Sequence, residues 1–343
     1  MSSVQTSSES VPETFDKTAP GRDVQAERPR VTATLSRVGV LNVEKIVRIA
    51  ANGHENLFHA KLDCFVDLAA AQKGVHMSRF EEVVNEAIDE VVLQEAFRAE
   101  VLAGHIAEII RERQGGARAE VHIEARYPEN KSAPVSGVRT QEIYTMFGAA
   151  VASSKGTRRL VGVQAHGMTA CPCAQELVTE RSHARLTEQG FGEQDIEKIF
   201  DAVPVATHNQ RGLATLHIGC PEGYEGVIGA ETLLKIAEGS MSSEIYELMK
   251  RSDEVEVVEK AHRNPRFVED CVREMISGVV EEFGDTLGPE AFVFARQENL
   301  ETIHQHNVAA ERYGLIDEVA AELRGDEVAA ARHLTQREWL DPR

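Results

Sequence analysis

Between Leu57 and Leu68 the chain alternates. Phe58, Ala60, Leu62, Cys64, Val66 and Leu68 fall on one side, and His59, Lys61, Asp63 and Asp67 on the other. Strand side chains project to opposite faces with a period of two, so this segment predicts a half-buried strand. A helix follows. Ser78 with Glu81 three residues later reads as a capping box, and Phe80, Val83, Val84, Ala87, Ile88, Val91 and Val92 recur at helical spacing. Helical character resumes through Ile106, Ile109 and Ile110 and stops at Gly115-Gly116. Strands return at Val121, Ile123 and Ala125, and again at Val161, Val163 and Ala165.

The second half echoes this order. Ala214, Leu216 and Ile218 suggest a strand, and helical periodicity runs from Ala230 to Met249. Asn264 reads as an N-cap with Pro265 at the first helical position. Phe267, Val268, Cys271, Val272, Met275, Ile276, Val279 and Val280 continue that helix. Phe292 and Phe294 mark a strand, a polar strand-like stretch passes through His304 and His306, and Ile316 to Leu334 reads as helical. Each half is therefore strands, two helical stretches, then strands. That is an α+β pattern, an antiparallel sheet with helices on one face. Nucleotide folds built on GxGxxG or Walker loops are not supported, because neither motif occurs. Residues 1–30, rich in Ser, Thr, Glu and Pro, are expected to form a flexible tail.

With 343 residues and about 150 per domain, the expectation is two domains. Fifty-six acidic against 37 basic residues give a net charge of −19. Such a field repels phosphate backbones, which argues against a nucleic-acid polymer as partner. A 5% aromatic content argues against a stacking platform. A local basic pocket for a small phosphate ligand is left open. Acid excess with 10 Lys against 27 Arg suits a halophilic protein, and a GC-rich genome would also favour Arg. No membrane span is expected, since no apolar run approaches the roughly 18 residues required. The N-terminus lacks the pattern of a signal peptide. Five cysteines do not make a disulfide framework, so a cytoplasmic, reduced protein is expected. Cys64, Cys220 and Cys271 lie in apolar runs.

Four polar clusters could carry chemistry. Cys171-Pro-Cys173 follows the strand ending near Ala165. In an extended backbone the two thiols share a face, whereas a turn at Pro172 would separate them. His208-Asn-Gln-Arg211 precedes the strand at Ala214, and Arg211 offers a planar fork to a phosphate. Taken alone, that cluster reads more simply as a capping or solvated turn. Glu244 and Glu259 lie in acidic stretches that, taken alone, read as a solvated face. His304 and His306, if on a strand, project from one face and converge on one ion or substrate. Together these residues form a mixed sulfur, nitrogen and oxygen set that suits Zn²⁺ or Fe²⁺ better than Mg²⁺. A metal so held would supply hydroxide near neutral pH.

Lys73-Gly-Val-His-Met-Ser-Arg-Phe80, His166-Gly-Met-Thr-Ala-Cys-Pro-Cys-Ala-Gln-Glu176, His208-Asn-Gln-Arg211 and Asn264-Pro-Arg-Phe-Val-Glu-Asp270 occur in that order. They resemble the type IB GTP cyclohydrolases. Ala174-Gln175 after the second cysteine resembles the archaeal, MptA-type branch, where bacterial relatives tend to carry Ser-Lys. The resemblance spans roughly residues 35 to 312. It implies the tunnelling fold (T-fold) with two units, here residues 31–156 and 157–312, followed by a helical extension over 313–343. It also implies assembly as a homodimer or homotetramer and one divalent metal, Fe²⁺ in the archaeal branch and Mn²⁺ or Zn²⁺ in relatives. By the same resemblance Cys171 is the catalytic, metal-proximal cysteine, and His208 and Glu244 belong to the metal site. Glu259 anchors guanine, accepting from N1–H and the 2-amino group. His304 and His306 form the closing pair, with metal contact and proton transfer not divided between them. Arg211, Lys250 and Arg251 are candidate triphosphate contacts. One departure is Glu256-Val-Val-Glu259, where many bacterial relatives read Tyr-Val-Thr-Glu.

The implied reaction opens the guanine imidazole ring at C8, releases C8 as formate, rearranges the ribose and recloses to a dihydropterin. The archaeal branch ends at 7,8-dihydroneopterin 2′,3′-cyclic phosphate with diphosphate released. The alternatives are a bacterial-type enzyme giving 7,8-dihydroneopterin triphosphate, and a non-catalytic metal-binding protein of the same fold.

Overall fold

The computed structural model describes residues 23–51, 54–91, 98–224, 226–326 and 333–341. Most of the expected N-terminal tail, Val92 and residues 327–332 of the expected C-terminal helix lie outside them. The first half holds β1 (Leu35–Ala51), β2 (His54–Leu68), α1 (Met77–Val91), α2 (Ala99–Gln114), β3 (Arg118–Ser132) and β4 (Arg139–Ser153). Next come β5 (Gly156–Ala170), α3 (Pro172–Glu188), α4 (Glu193–Ala202), β6 (Asn209–Cys220), α5 (Ala230–Gly239) and β7 (Ser243–Glu244). The chain closes with α6 (Arg251–Arg263), α7 (Val268–Phe283), β8 (Phe292–Leu300), β9 (Val308–Leu315), α8 (Ile316–Leu323) and α9 (Gln336–Leu340). The strands form one nine-stranded antiparallel sheet in the order β1-β2-β3-β4-β5-β6-β8-β9, with β7 paired to β5. No helix among the described residues is long and apolar enough to cross a membrane.

The alternating strand behaves as its pattern predicts. Phe58, Ala60, Leu62, Cys64, Val66 and Leu68 are all buried, and they share one core with Phe80, Val83, Val84, Ala87 and Ile88 of α1. That core runs across the sheet. It takes Val161, Val163 and Ala165 from β5, Ala214, Leu216 and Ile218 from β6, and Cys271, Met275 and Val279 from α7. Burial pushes the Cys64, Cys220 and Cys271 thiols up to about 12, so they are inert packing groups. Gly115 ends α2 in the left-handed conformation at φ 67°, where glycine has no Cβ penalty.

Several boundaries differ from the sequence reading. Helix α1 begins at Met77, so Ser78 lies inside the first turn and is not its cap. Gln114 holds that entry instead, accepting from His76 N at 3.3 Å and donating to His76 O at 2.9 Å. The helix from Ala230 stops at Gly239, because Ser242 Oγ accepts the Ala170 N–H and draws the chain alongside β5. Glu244 therefore sits on strand β7 and not on a helix. Asn264 terminates α6 and donates toward Met241 O and Ser242 O, while Phe267 caps α7 with Asp270 accepting its N–H at 3.0 Å. His304 and His306 lie in the loop between β8 and β9, not on a strand. The C-terminal helix is shorter than Ile316 to Leu334, ending at Leu323. Strands β1, β4, β7 and β9 and helices α3, α4, α6 and α9 have no counterpart in the sequence reading.

Helix α9 departs from the one-face arrangement. It packs on the sheet face opposite the main core, where Trp339 and Leu340 join Ala149, Val151, Leu160 and Phe292. Trp339 stacks on Phe292 at 5.8 Å and donates from Nε1 to Glu290 O at 2.9 Å. The fit needs Gly219, because a Cβ there would lie 2.7 Å from the indole. Trp339→Ala should cost about 3 kcal/mol, read as a lower urea midpoint at unchanged slope. Because Trp339 is the sole tryptophan, its wild-type emission should shift red when this segment undocks.

Asp253 pins α6 to the β3–β4 hairpin tip. Its carboxylate accepts from Val135 N at 2.9 Å, Ser136 N at 2.8 Å, Ser136 Oγ at 2.6 Å and Lys250 N at 2.7 Å. Burial acts to raise this carboxyl, but the bonds from Ser136, Lys250 and Val135 outweigh it and hold it well below the usual carboxylate range. A depressed folded value means the stabilisation is present above the unfolded value, about 3.8, and is lost as pH falls through the folded one. The stability gap between wild type and Asp253→Asn should therefore be widest near neutral pH and narrow progressively below pH 4.

Candidate active site

Three strand ends meet at one edge of the sheet. β5 ends at Ala170, β6 begins at Asn209 opposite it, and β8 ends at Leu300 opposite Arg211. Cys171, His208 and the loop carrying His304 and His306 are therefore neighbours by register. The backbone locks the first two together: Cys171 N donates to His208 O at 3.1 Å, and Thr207 Oγ1 donates to Cys171 O at 2.8 Å.

Pro172 opens α3, which suits its fixed φ and missing N–H. Cys171 thus becomes the N-cap, and its Sγ accepts from Ala174 N at 3.5 Å. Cys173, on the first turn, is exposed while Cys171 is half-buried. The turn separates the two thiols. Gln175 Nε2 ties the same turn to Val205 O at 2.7 Å and to His262 O at 2.6 Å. The end of α6 is thereby held beside Cys171 and His208.

His208 is oriented from behind. Its Nδ1 donates to Gln210 Oε1 at 3.0 Å, and Gln210 Nε2 donates to Thr169 Oγ1 at 2.9 Å. Nε2 is left as the lone-pair nitrogen, the arrangement that suits metal ligation or proton acceptance. The His304 ring lies edge-on to His208 at 6.4 Å and stacks on His306 at 5.2 Å. Thr302 Oγ1 donates to Asn209 O at 3.0 Å and anchors this loop. Glu301 Oε2 stands 3.9 Å from His208 Nδ1, with its side chain 6% exposed. Sequence reasoning missed Glu301 and Thr207 as part of this cluster, and it named Gln210 only as a member of the His-Asn-Gln-Arg motif, without its orienting role. Glu301 stands three residues before His304, and that proximity was the available signal.

The other expected residues are placed less centrally. Glu244 pairs across β5 with Gly167, and Lys260 donates to it. Burial acts to raise its carboxyl, but the Lys260 bond and its own backbone hold it below the ordinary value. Glu259 is on α6 and exposed. Lys250 and Arg251 sit at the far end of α6, roughly 17 Å along the helix from His262. Arg211 is exposed on β6 opposite Met168. An open cleft of about 600 Å³ beside Cys171 is lined by Pro172, Gln175, Glu176, Thr179, Glu180, His183 and Pro265, an acidic wall unsuited to a polyphosphate.

As to a metal, Cys171, His208 and His304 supply a fitting thiol and imidazole donor set, with His208 already oriented through Nδ1. Among the described residues no three His, Cys, Asp or Glu side chains close on one point, and Glu244 is engaged by Lys260.

Comparison with known proteins agrees with these motifs. The family model for type I GTP cyclohydrolase folE2 matches residues 22–310. GTP cyclohydrolase MptA of Methanococcus maripaludis is 43% identical over 310 residues, 88% of this chain and 98% of that protein. The Methanocaldococcus jannaschii MptA is 40% identical over 307 residues, 88% and 97% of the two chains. Among solved structures, the uricase from Arthrobacter globiformis covers 82% of this chain and 91% of its own at 8% identity and a TM-score of 0.45, too slight a likeness to bear on the site. With its motifs matched in order, and identity of this level over nearly nine-tenths of its length, the chain belongs to the type I GTP cyclohydrolase family.

Proposed function

We propose that this enzyme converts GTP to 7,8-dihydroneopterin 2′,3′-cyclic phosphate, releasing formate and diphosphate, as the first step of pterin cofactor synthesis. The observation that carries the reading is the convergence of Cys171, His208, His304 and His306 at one sheet edge. The archaeal form of the product is supported by the MptA relatives. We read the fold as a pair of tunnelling-fold units in one chain and the location as cytoplasmic.

In this reading Cys171, His208 and His304 hold a divalent ion, Fe²⁺ by preference, with Glu244 completing the set. The bound ion would supply Lewis acidity that activates water near neutral pH. His306, stacked on His304, is placed to move protons as the guanine imidazole ring opens. Glu259 accepts from the guanine N1–H and 2-amino group. Its solvent-facing position in the single chain leaves it available at a subunit boundary. Assembly as a homodimer or homotetramer is supported by α3, which buries no residue, and by exposed Leu177, Val178 and Phe191 around it. Solution mass measurement should give twice or four times the chain mass.

Cys171→Ala should abolish formate release from GTP, while Cys173→Ala should retain most of it. His306→Ala should slow the reaction by about 100-fold or more. Full activity in Cys171→Ala would refute the assignment.

A further inference from the structure

Helix α9 borders two adjoining cavities on the sheet face opposite the main core, and the chemistry above uses neither. The inner one, about 180 Å³, has its floor on two cross-strand rows. Register sets His122 opposite Ala149 and Ala149 opposite Leu160, and in the next row Glu124 opposite Phe147. Lys61 and Asp63 extend these rows onto β2, opposite Glu124 and His122. The His217 ring forms a further wall. A Cβ on Gly162 would lie 2.1 Å from its Cδ2, so the ring lies over β5, where it meets Phe147 edge-on at 5.2 Å. Gln336 of α9 holds it there, accepting from His217 Nδ1 at 3.1 Å. A volume worth roughly six waters and an aromatic wall suit a small planar ring.

The outer cavity, about 420 Å³, shares His122 and Gln336 with the inner one. Arg37, Arg118 and Arg337 line it with one carboxylate, Glu120. That carboxylate is divided between Arg37 at 2.9 Å, Arg118 at 2.8 Å and His122 at 2.6 Å. Burial acts to raise it, but His122 and Arg118 outweigh burial and hold it down at about 2. Arg118 also meets Asp341 at 2.7 Å, whereas Arg337 is exposed and has no carboxylate partner among the described residues. Positive charge is thus left over in a chain of net charge −19. The inner cavity is biased the other way, with Lys61 against Asp63 and Glu124. The place is remote from Cys171, since Leu160 stands ten residues before Ala170 on β5, roughly 33 Å of strand.

We propose that these cavities form a binding site, separate from the catalytic edge, for a small aromatic ring carrying an amino group at one end and a single anionic group at the other. The ring lies against Phe147, Ala149 and Leu160. Its amino group donates to Asp63 or Glu124, and its anion meets the planar forks of Arg337 and Arg118. The opposite bias of the two cavities sets that orientation. Gln336 and Arg337 belong to α9, so an occupant also fastens the C-terminal segment to the sheet. The site is independent of which substrate the catalytic edge takes.

The test is calorimetric titration of the full chain with 4-aminobenzoate and, separately, with adenosine 5′-monophosphate, an aromatic acid and a nucleotide that share this pattern. At least one should bind with a Kd below about 1 mM and raise the urea midpoint of the Trp339 red shift. The compound that binds more tightly identifies the source. Arg337→Ala should weaken that binding by about tenfold and Glu124→Gln by about fivefold. Trp339 emission of the unliganded variants should match wild type, showing that α9 is still docked. Cys171→Ala should bind the compound as wild type does, with or without GTP. No binding of either compound in that range, wild-type affinity in both variants, or displacement by GTP from Cys171→Ala would overturn the proposal.

Discussion

The ladder between β5 and β6 is the constraint on which the site depends. Twelve paired positions, from Arg159 opposite Cys220 to Ala170 opposite Asn209, fix where the two strands end. Buried side chains on the core face, Val161, Val163 and Ala165 against Ala214, Leu216 and Ile218, make a slip by one residue prohibitive, because it would turn all of them toward the other face. With the register fixed, Cys171 and His208 have no freedom to separate. The hydrogen bonds of Thr207, Gln175 and Thr302 then fasten the surrounding loops to that edge. The candidate site groups thus lie at strand ends and on loops, while their spacing is set by a rigid sheet.

Electrostatics follow from the same scaffold. A chain of net charge −19 must still receive a highly anionic substrate. Its acids are largely neutralised where the fold needs order: Asp253 by backbone N–H groups, Glu244 by Lys260, Glu120 by Arg118 and His122. The cleft over α3 is acidic.

Legibility in the sequence tracked how regular each element's burial is. Strand β2 and helix α7 bury clean stripes and were read to within a few residues. Strand β1 was not, because register shifts near Val38 and Val43 and the positive φ of Asn42 break its alternation. Helix α3 buries nothing and so leaves no periodic signal, and α6 buries only Asp253, Val257 and Ala261. The buried acid made a packed helix look like a solvated run. The motifs were legible, and the register sets Cys171, His208 and the loop carrying His304 at one edge of the sheet, although no three such donors close on one point among the described residues. Glu244, Lys250 and Arg251 are placed by β7 and the length of α6, which only the three-dimensional arrangement reveals. The open question about the Cys-Pro-Cys pair was settled by Pro172 starting a helix, which leaves Cys171 as its cap.

The central claim concerns what these groups make from GTP. The most direct measurement is the mass of the product formed anaerobically with Fe²⁺ and GTP. The account predicts formate, diphosphate and a dihydroneopterin cyclic monophosphate. A dihydroneopterin that keeps all three phosphates would contradict it.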